Sequence, residues 1–194
     1  MRTVYILSWE ALLGDKLLVF HTCLMKALES VNSPKLASWK LEDSGRYLGK
    51  GPGAIFGAGQ DLWRDRAELN KARETFYSYQ ECLPAAKLLP EAEEMLKVLA
   101  RRNIKFLLAT AEYKHAMFRE IANSWAASQA LGFYGSVPGK YVDLPYAVAQ
   151  AEKQASALGE KIFLVASKEE EGLATHLGLS FMEANLENFL ELAK

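Results

Sequence analysis

Thr3-Val-Tyr-Ile-Leu-Ser8-Trp-Glu10-Ala-Leu-Leu-Gly-Asp15 decides the fold, and the rest of the chain is arranged around it. Val4 to Leu7 is an apolar run of β-branched and aromatic side chains, too short for a helix and flanked by polar positions. A run of that kind reads as a central strand buried on both faces. It breaks into Ser8, Trp9 and Glu10, and Gly14-Asp15 then hands the chain to a long amphipathic stretch. In open α/β sheets ligands bind just beyond the carboxyl ends of the strands. Ser8 and Glu10 therefore stand where chemistry is expected.

Downstream, residues 85–194 alternate helix and strand. Pro90 opens a helix with Glu91, Glu93 and Glu94 near its positive end and Arg101 and Arg102 near its negative end. Ala92, Met95, Leu96 and Leu99 form its buried stripe, and Asn103 ends it. Strands are predicted at 104–109, closing on Thr110, and at 132–137, 161–166 and 179–182. Helices fall at about 114–128, after Asp143 with Pro145 in the first turn, up to His176, and after Asn185 with Leu186, Phe189, Leu190 and Ala193 inward. Such alternation builds a parallel sheet with right-handed crossovers.

Between the first strand and this alternation the sequence reads as helical. Asp15 is a candidate N-cap for 16–31, where Leu17, Leu24, Met25, Leu28 and Val31 share a face and Asn32-Ser33-Pro34 stops the helix. Residues 35–60 are less regular, and a second long helix is predicted over 61–83. The glycine-rich stretch 49–59 lacks both the Gly-Lys-Ser/Thr ending and the preceding strand of a phosphate loop, so it reads as a turn between helices. The expected architecture is α/β: a doubly wound, Rossmann-like parallel sheet from 1–15 and 85–194. An all-helical insertion, 16–84, would be placed to cover a ligand site.

At 194 residues the chain buries roughly 70% of its unfolded surface and needs no staple. Its formal net charge of -1 argues against a nucleic-acid-binding protein, which would carry a basic excess. Cys23 and Cys82 are too few and too far apart for a disulfide framework or a zinc site, and read as reduced, mostly buried thiols. His21, His115 and His176 have no ligand spacing among themselves or with a cysteine. The N-terminus lacks a secretory pattern, and no apolar run approaches a membrane span. The expectation is a cytoplasmic protein with no nucleic-acid or membrane partner.

This layout and the residues at the strand ends resemble the haloacid dehalogenase-like hydrolases, especially the phosphoglycolate-phosphatase-like branch with a helical cap after the first strand. In that family the first strand ends in Asp-x-Asp-Gly-Thr-Leu-x-Asp; here the stretch is Ser8-Trp9-Glu10-Ala11-Leu12-Leu13-Gly14-Asp15. Leu13 and Asp15 keep the frame, while both working carboxylates and the Gly-Thr pair are replaced. The second motif, a Thr or Ser closing the next strand, corresponds to Thr110. The third, a Lys ahead of a helix, corresponds to Lys140, with Pro145 five residues later instead of immediately after. The fourth, Gly-Asp followed by another Asp, falls on Ala166-Ser167-Lys168-Glu169-Glu170-Glu171. The later Asp matches Glu170 or Glu171, and the Asp of Gly-Asp is lost.

The resemblance implies a phosphatase in which the first carboxylate attacks phosphorus, the second acts as acid and base, and Mg²⁺ neutralises the transferring group. Ser8 cannot form an aspartyl-phosphate, and its hydroxyl needs a base, for which Glu10 is a candidate. Mg²⁺ loses one carboxylate at Ser8, leaving Glu10, Glu170 and Glu171 as candidate ligands if the protein is catalytic at all. Three acids at 169–171 are also explained by the helix dipole alone. Thr110 and Lys140 keep the means to bind phosphate, although Thr110 equally suits a helix cap and Lys140 an ordinary loop. Trp9 reads as a space filler, or as a stacking surface for a ligand. Two functions follow. One is a non-catalytic or strongly impaired phosphatase-like protein, without cofactor, that binds a phosphorylated small molecule or a protein partner. The other is a divergent hydrolase of small phosphomonoesters using Glu10.

Overall fold

The computed structural model describes residues 3–48, 54–57, 62–82, 87–122, 128–137, 140–158, 161–185, 187–188 and 191. Five strands form one parallel sheet: β1 Thr3–Ser8, β2 Phe106–Tyr113, β3 Ala130–Ser136, β4 Lys161–Ala166 and β5 Ser180–Glu183. Their order is β3-β2-β1-β4-β5, so the opening stretch lies at the centre, paired with β2 on one side and β4 on the other.

Side chains of a strand alternate between faces. Tyr5 and Leu7 enter one apolar cluster, with Phe106 and Leu108 of β2. Val4 and Ile6 enter the other, with Leu107 and Ala109. The first face is covered by α4 (Pro90–Arg101) through Ala92, Met95, Leu96 and Leu99, and by Met117 and Ile121 of α5 (Lys114–Ala122). The second is covered by α6 (Leu144–Ser156) through Ala147, Val148, Ala151 and Ala155, and by Ala174 of α7 (Glu171–His176). Every residue from Val4 to Leu7 is thus wanted inside, which is why that run shows no polar alternation. Fully burying a side chain such as Leu96 or Leu99 stabilises by roughly 1.5–3 kcal/mol.

A third apolar cluster is built from the segment between β1 and α4. It joins α1 (Lys16–Ser30), α2 (Leu41–Leu48) and α3 (Arg66–Cys82) with Ile55, Phe56 and Trp63. Phe76 meets Phe20 and Phe56 edge-on, and Trp63 stacks on Phe56 and donates its indole N–H to the Ile55 carbonyl at 2.9 Å. Where the segment leaves and returns, Leu13 bridges Leu88, Gly14 N–H reaches the Lys87 carbonyl at 2.9 Å, and Leu89 N–H reaches Leu12 at 2.8 Å. A Cβ on Gly14 would stand 3.3 Å from the Leu89 side chain, so the small residue suits this close crossing.

Several local expectations change. Asp15 precedes α1, yet its carboxylate accepts the Lys87 N–H at 3.0 Å and makes no cap bond to its own helix. Residues 41–48, read as irregular, are helical. Ser44 anchors them by taking the Trp39 indole N–H at 2.9 Å and pairing with His21 at 2.8 Å. The helix expected from 61 begins at Arg66, because Asp65 accepts the Glu68 N–H at 2.8 Å and fixes the start. β2 runs three residues beyond Thr110 to Tyr113. Asn32 and Asn103 do end α1 and α4, with φ of 49° and 53°. Ser33 N–H bonds back to Leu28 and Ile104 N–H to Leu99, the wrap that suits a left-handed residue after a helix. Cys23 is buried, and burial pushes its thiol well above the ordinary range. The Cys82 side chain, most of 49–59 and the inward face proposed for 186–193 lie outside the described residues. Among the described residues, no helix is long and apolar enough to cross a membrane.

Candidate functional site

Ser8 ends β1 in register with Ala109, one residue before Thr110. The chain then makes a 3-10 turn, Trp9–Leu12, that buries Trp9 and Leu12 in the core beneath the sheet. Trp9 is therefore a packing residue. The same turn carries Glu10 back across the end of β2, where it is only 8% exposed. Glu10 Oε1 accepts two hydrogen bonds, from the Thr110 hydroxyl at 2.7 Å and from the Ala111 N–H at 2.6 Å. Thr110 Oγ1 in turn accepts the Glu112 N–H at 3.0 Å. Both partners of that hydroxyl lie at the strand end, and α5 begins only at Lys114, so Thr110 does not cap the following helix.

Glu10 Oε2 is buried and, among the described residues, has no hydrogen-bond partner. Burial first, and the nearby Glu170 charge in addition, raise the Glu10 carboxyl from 4.5 to about 7, against the lowering effect of the Thr110 and Ala111 donors. Desolvation wins because only one of the two oxygens is compensated.

On the other side of β1, Glu170 links two strand ends. Its Oε1 accepts the Ser8 hydroxyl at 3.1 Å; its Oε2 accepts the Ser167 N–H at 2.7 Å and hydroxyl at 3.0 Å. Ser167 and Glu170 form a reciprocal capping box at the short 3-10 turn after β4. Glu170, not Glu10, is thus the carboxylate beside Ser8. Ser-x-x-Glu at 167–170 was a legible signal for that box; the bond to Ser8 was not. Glu171 is exposed and paired with Lys168 at 2.6 Å, and Glu169 is exposed as well.

Ser8, Glu10, Thr110, Ser167 and Glu170 are therefore brought together, and Lys140 is not. Its ammonium lies over the Tyr146 ring, 5.5 Å from the centroid, and its backbone bridges Val137. No hydrogen bond or ion pair among the described residues joins it to Ser8, Glu10 or Thr110. No histidine joins the cluster either: His21 pairs with Ser44, and His115 and His176 are exposed. The buried Glu112, two residues past Thr110, was missed, because a carboxylate so near a strand end reads as a solvated loop residue.

Ser8 is fully buried and donates to Glu170, whose other oxygen is held by Ser167. Magnesium demands a near-octahedral set of oxygen ligands, usually with one or two carboxylates. Glu10 Oε2 is an orphaned oxygen, but both Glu170 oxygens are engaged and Glu171 is turned to Lys168. Among the described residues, no group of three His, Cys, Asp or Glu could hold a metal. As arranged, the donor set does not fit the ion.

No family model matches the chain, and no curated sequence does. Solved structures do match. A haloacid dehalogenase-like hydrolase from Streptococcus pneumoniae superposes with a TM-score of 0.70 at 15% identity, over 98% of this chain and 90% of that one. A "predicted phosphatase" from Clostridium acetobutylicum gives 0.74 at 9% identity, over 98% and 97%. A variant of CbbY from Rhodobacter sphaeroides, in complex with xylulose-1,5-bisphosphate, gives 0.69 at 16% identity, over 94% and 86%. The chain has the haloacid dehalogenase-like, Rossmann-like α/β fold found in hydrolases and phosphatases.

Proposed function

We propose that this chain is a phosphatase-like protein whose phosphoryl-transfer chemistry is lost or strongly impaired, and that it acts by binding a phosphorylated small molecule or a protein partner. One observation carries the reading: Glu10 Oε1 occupies both the Thr110 hydroxyl and the Ala111 N–H. Those are the donors a phosphoryl group would need, and the chain's own carboxylate holds them. The change of the nucleophile position to Ser8, bound to Glu170, supports the same conclusion. Residues 16–84 are read as a helical cap over the strand ends, in keeping with the separate cluster around Phe76 and with Tyr141, after β3, stacked 4.6 Å from Tyr77.

A second reading, a divergent phosphomonoester hydrolase, is favoured by the Glu10 carboxyl, which titrates at about 7 as a general acid or base at neutral pH would. One experiment separates the two: release of inorganic phosphate from a broad phosphomonoester panel, with and without Mg²⁺, by wild type and Glu10→Gln. The expected result is no turnover by folded protein. Metal-dependent turnover abolished by Glu10→Gln would establish the second reading instead.

A further inference from the structure

Beside the edge strand β3, a cleft of about 280 Å³ opens between the end of that strand and α6. Lys114 and Lys140 line it together with Tyr134, Tyr146, Gln150 and Gly135, and no carboxylate among the described residues lines it. Three lysines elsewhere in the fold are neutralised locally: Lys26 by Glu29, Lys97 by Glu93 and Glu94, Lys168 by Glu171. Among the described residues, Lys114 and Lys140 have no such partner. In a chain of net charge -1, two uncompensated ammonium groups sharing one concavity are a local reversal of sign. A concave, low-dielectric wall focuses that field on whatever enters.

The walls around the charges are aromatic and fixed. Lys140 is held over the face of Tyr146, and the Tyr134 hydroxyl donates to the Gln154 amide oxygen, which pins its ring. Gly135 keeps the end of β3 close to β2: a Cβ there would meet Thr110 Cγ2 at 2.6 Å and Lys114 Cβ at 3.2 Å. Its missing side chain lets Lys114, the first residue of α5, stand at the cleft.

We propose that this cleft binds a small organic phosphate carrying a flat apolar group. The two ammonium groups suit a phosphate dianion, which lysine binds as a point charge. Tyr134 and Tyr146 suit a planar substituent, and Gln150 adds an amide. The volume lies at the small end of ligand pockets, which suits a small ligand. The site is separate from the Ser8–Glu10–Thr110 cluster, and it stands whether or not the strand ends prove catalytic.

Phenyl phosphate and inorganic phosphate, titrated calorimetrically into the full chain at low ionic strength and neutral pH, test it. Phenyl phosphate is expected to bind saturably and more tightly than inorganic phosphate. The double variant Lys114→Ala with Lys140→Ala should lose at least about tenfold in affinity while keeping its circular dichroism spectrum. Tyr146→Ala should erase most of the preference for the aryl ester, and Lys168→Ala, an exposed lysine paired elsewhere, should change neither affinity. Absence of saturable binding by folded wild type would overturn the proposal. So would equal binding by the double variant, which would place the anion elsewhere, or an equal loss in Lys168→Ala, which would reduce the effect to net charge.

Discussion

Replacing Glu10 by Gln is expected to stabilise the protein, and to do so only above the ordinary carboxyl range. In the unfolded chain Glu10 ionises near 4.5; in the fold, burial and Glu170 hold the proton on to about pH 7. Between those values the folded state binds a proton that the unfolded state has released, so stability falls as pH rises. Above the upper value the loss is complete and constant. At about 1.4 kcal/mol for each pH unit, the carboxyl costs the fold roughly 3 kcal/mol at about pH 8 and almost nothing near pH 4.5. Gln keeps an oxygen for Thr110 and Ala111 and never ionises. In urea or thermal unfolding across this range, wild type and Glu10→Gln should coincide near pH 4.5 and diverge through pH 7. At about pH 8 the variant should melt roughly 6–12 °C higher, the shift expected for a chain of this size. A variant no more stable than wild type at pH 8, with the same pH slope, would refute the argument. Glu10 would then be comfortably ionised, as it would be beside a cation.

Two further substitutions probe the geometry around the site. Gly135→Ala should destabilise by about 1–3 kcal/mol, since its methyl would stand 2.6 Å from Thr110 Cγ2 and 3.0 Å from the Glu112 carbonyl oxygen, and urea unfolding measures this. Ser167→Ala removes one half of the capping box and should cost about 0.5–2 kcal/mol in the same assay, with no change of fold by circular dichroism.

The order of elements was legible because burial dictates it. The α4 stripe Ala92, Met95, Leu96 and Leu99 is buried as its spacing requires, and Asp143 caps α6 through the Tyr146 N–H at 2.9 Å. What escaped the pattern is held by contacts distant in sequence. Thr110-Ala-Glu-Tyr113 continues no apolar run; its extension rests on pairing of Tyr113 with Ser136, on the Ser136 hydroxyl donating to the Ala111 carbonyl at 3.1 Å, and on Glu10 at the Ala111 N–H. The short α2 has too few apolar residues to announce itself, and Trp39, His21 and Ser44 fasten it. At the site, Ser8 and Glu10 could be placed from their position after a central strand. The pairing of Ser8 with Glu170 spans most of the chain, and no local period encodes it. Lys140 could be assigned to a loop near the strand ends, but not to the Tyr146 face that turns it into a different cleft.

These placements disfavour the entry of a phosphoryl group at the strand ends, and with it turnover, for an energetic reason. A phosphoryl group entering there would have to take the Thr110 hydroxyl and the Ala111 N–H from Glu10. Glu10 already has one buried oxygen without a partner, and losing both donors would strand the second. Each unsatisfied buried oxygen costs about 1–3 kcal/mol, more when charged. Above pH 7 the incoming anion would also face the ionised Glu10 and, beyond it, Glu170. An active phosphatase would lower this barrier with a cation between the carboxylates and the phosphate, and the donor set here does not fit one. The cleft at Lys114 and Lys140 imposes no such displacement, because neither ammonium is ion-paired among the described residues.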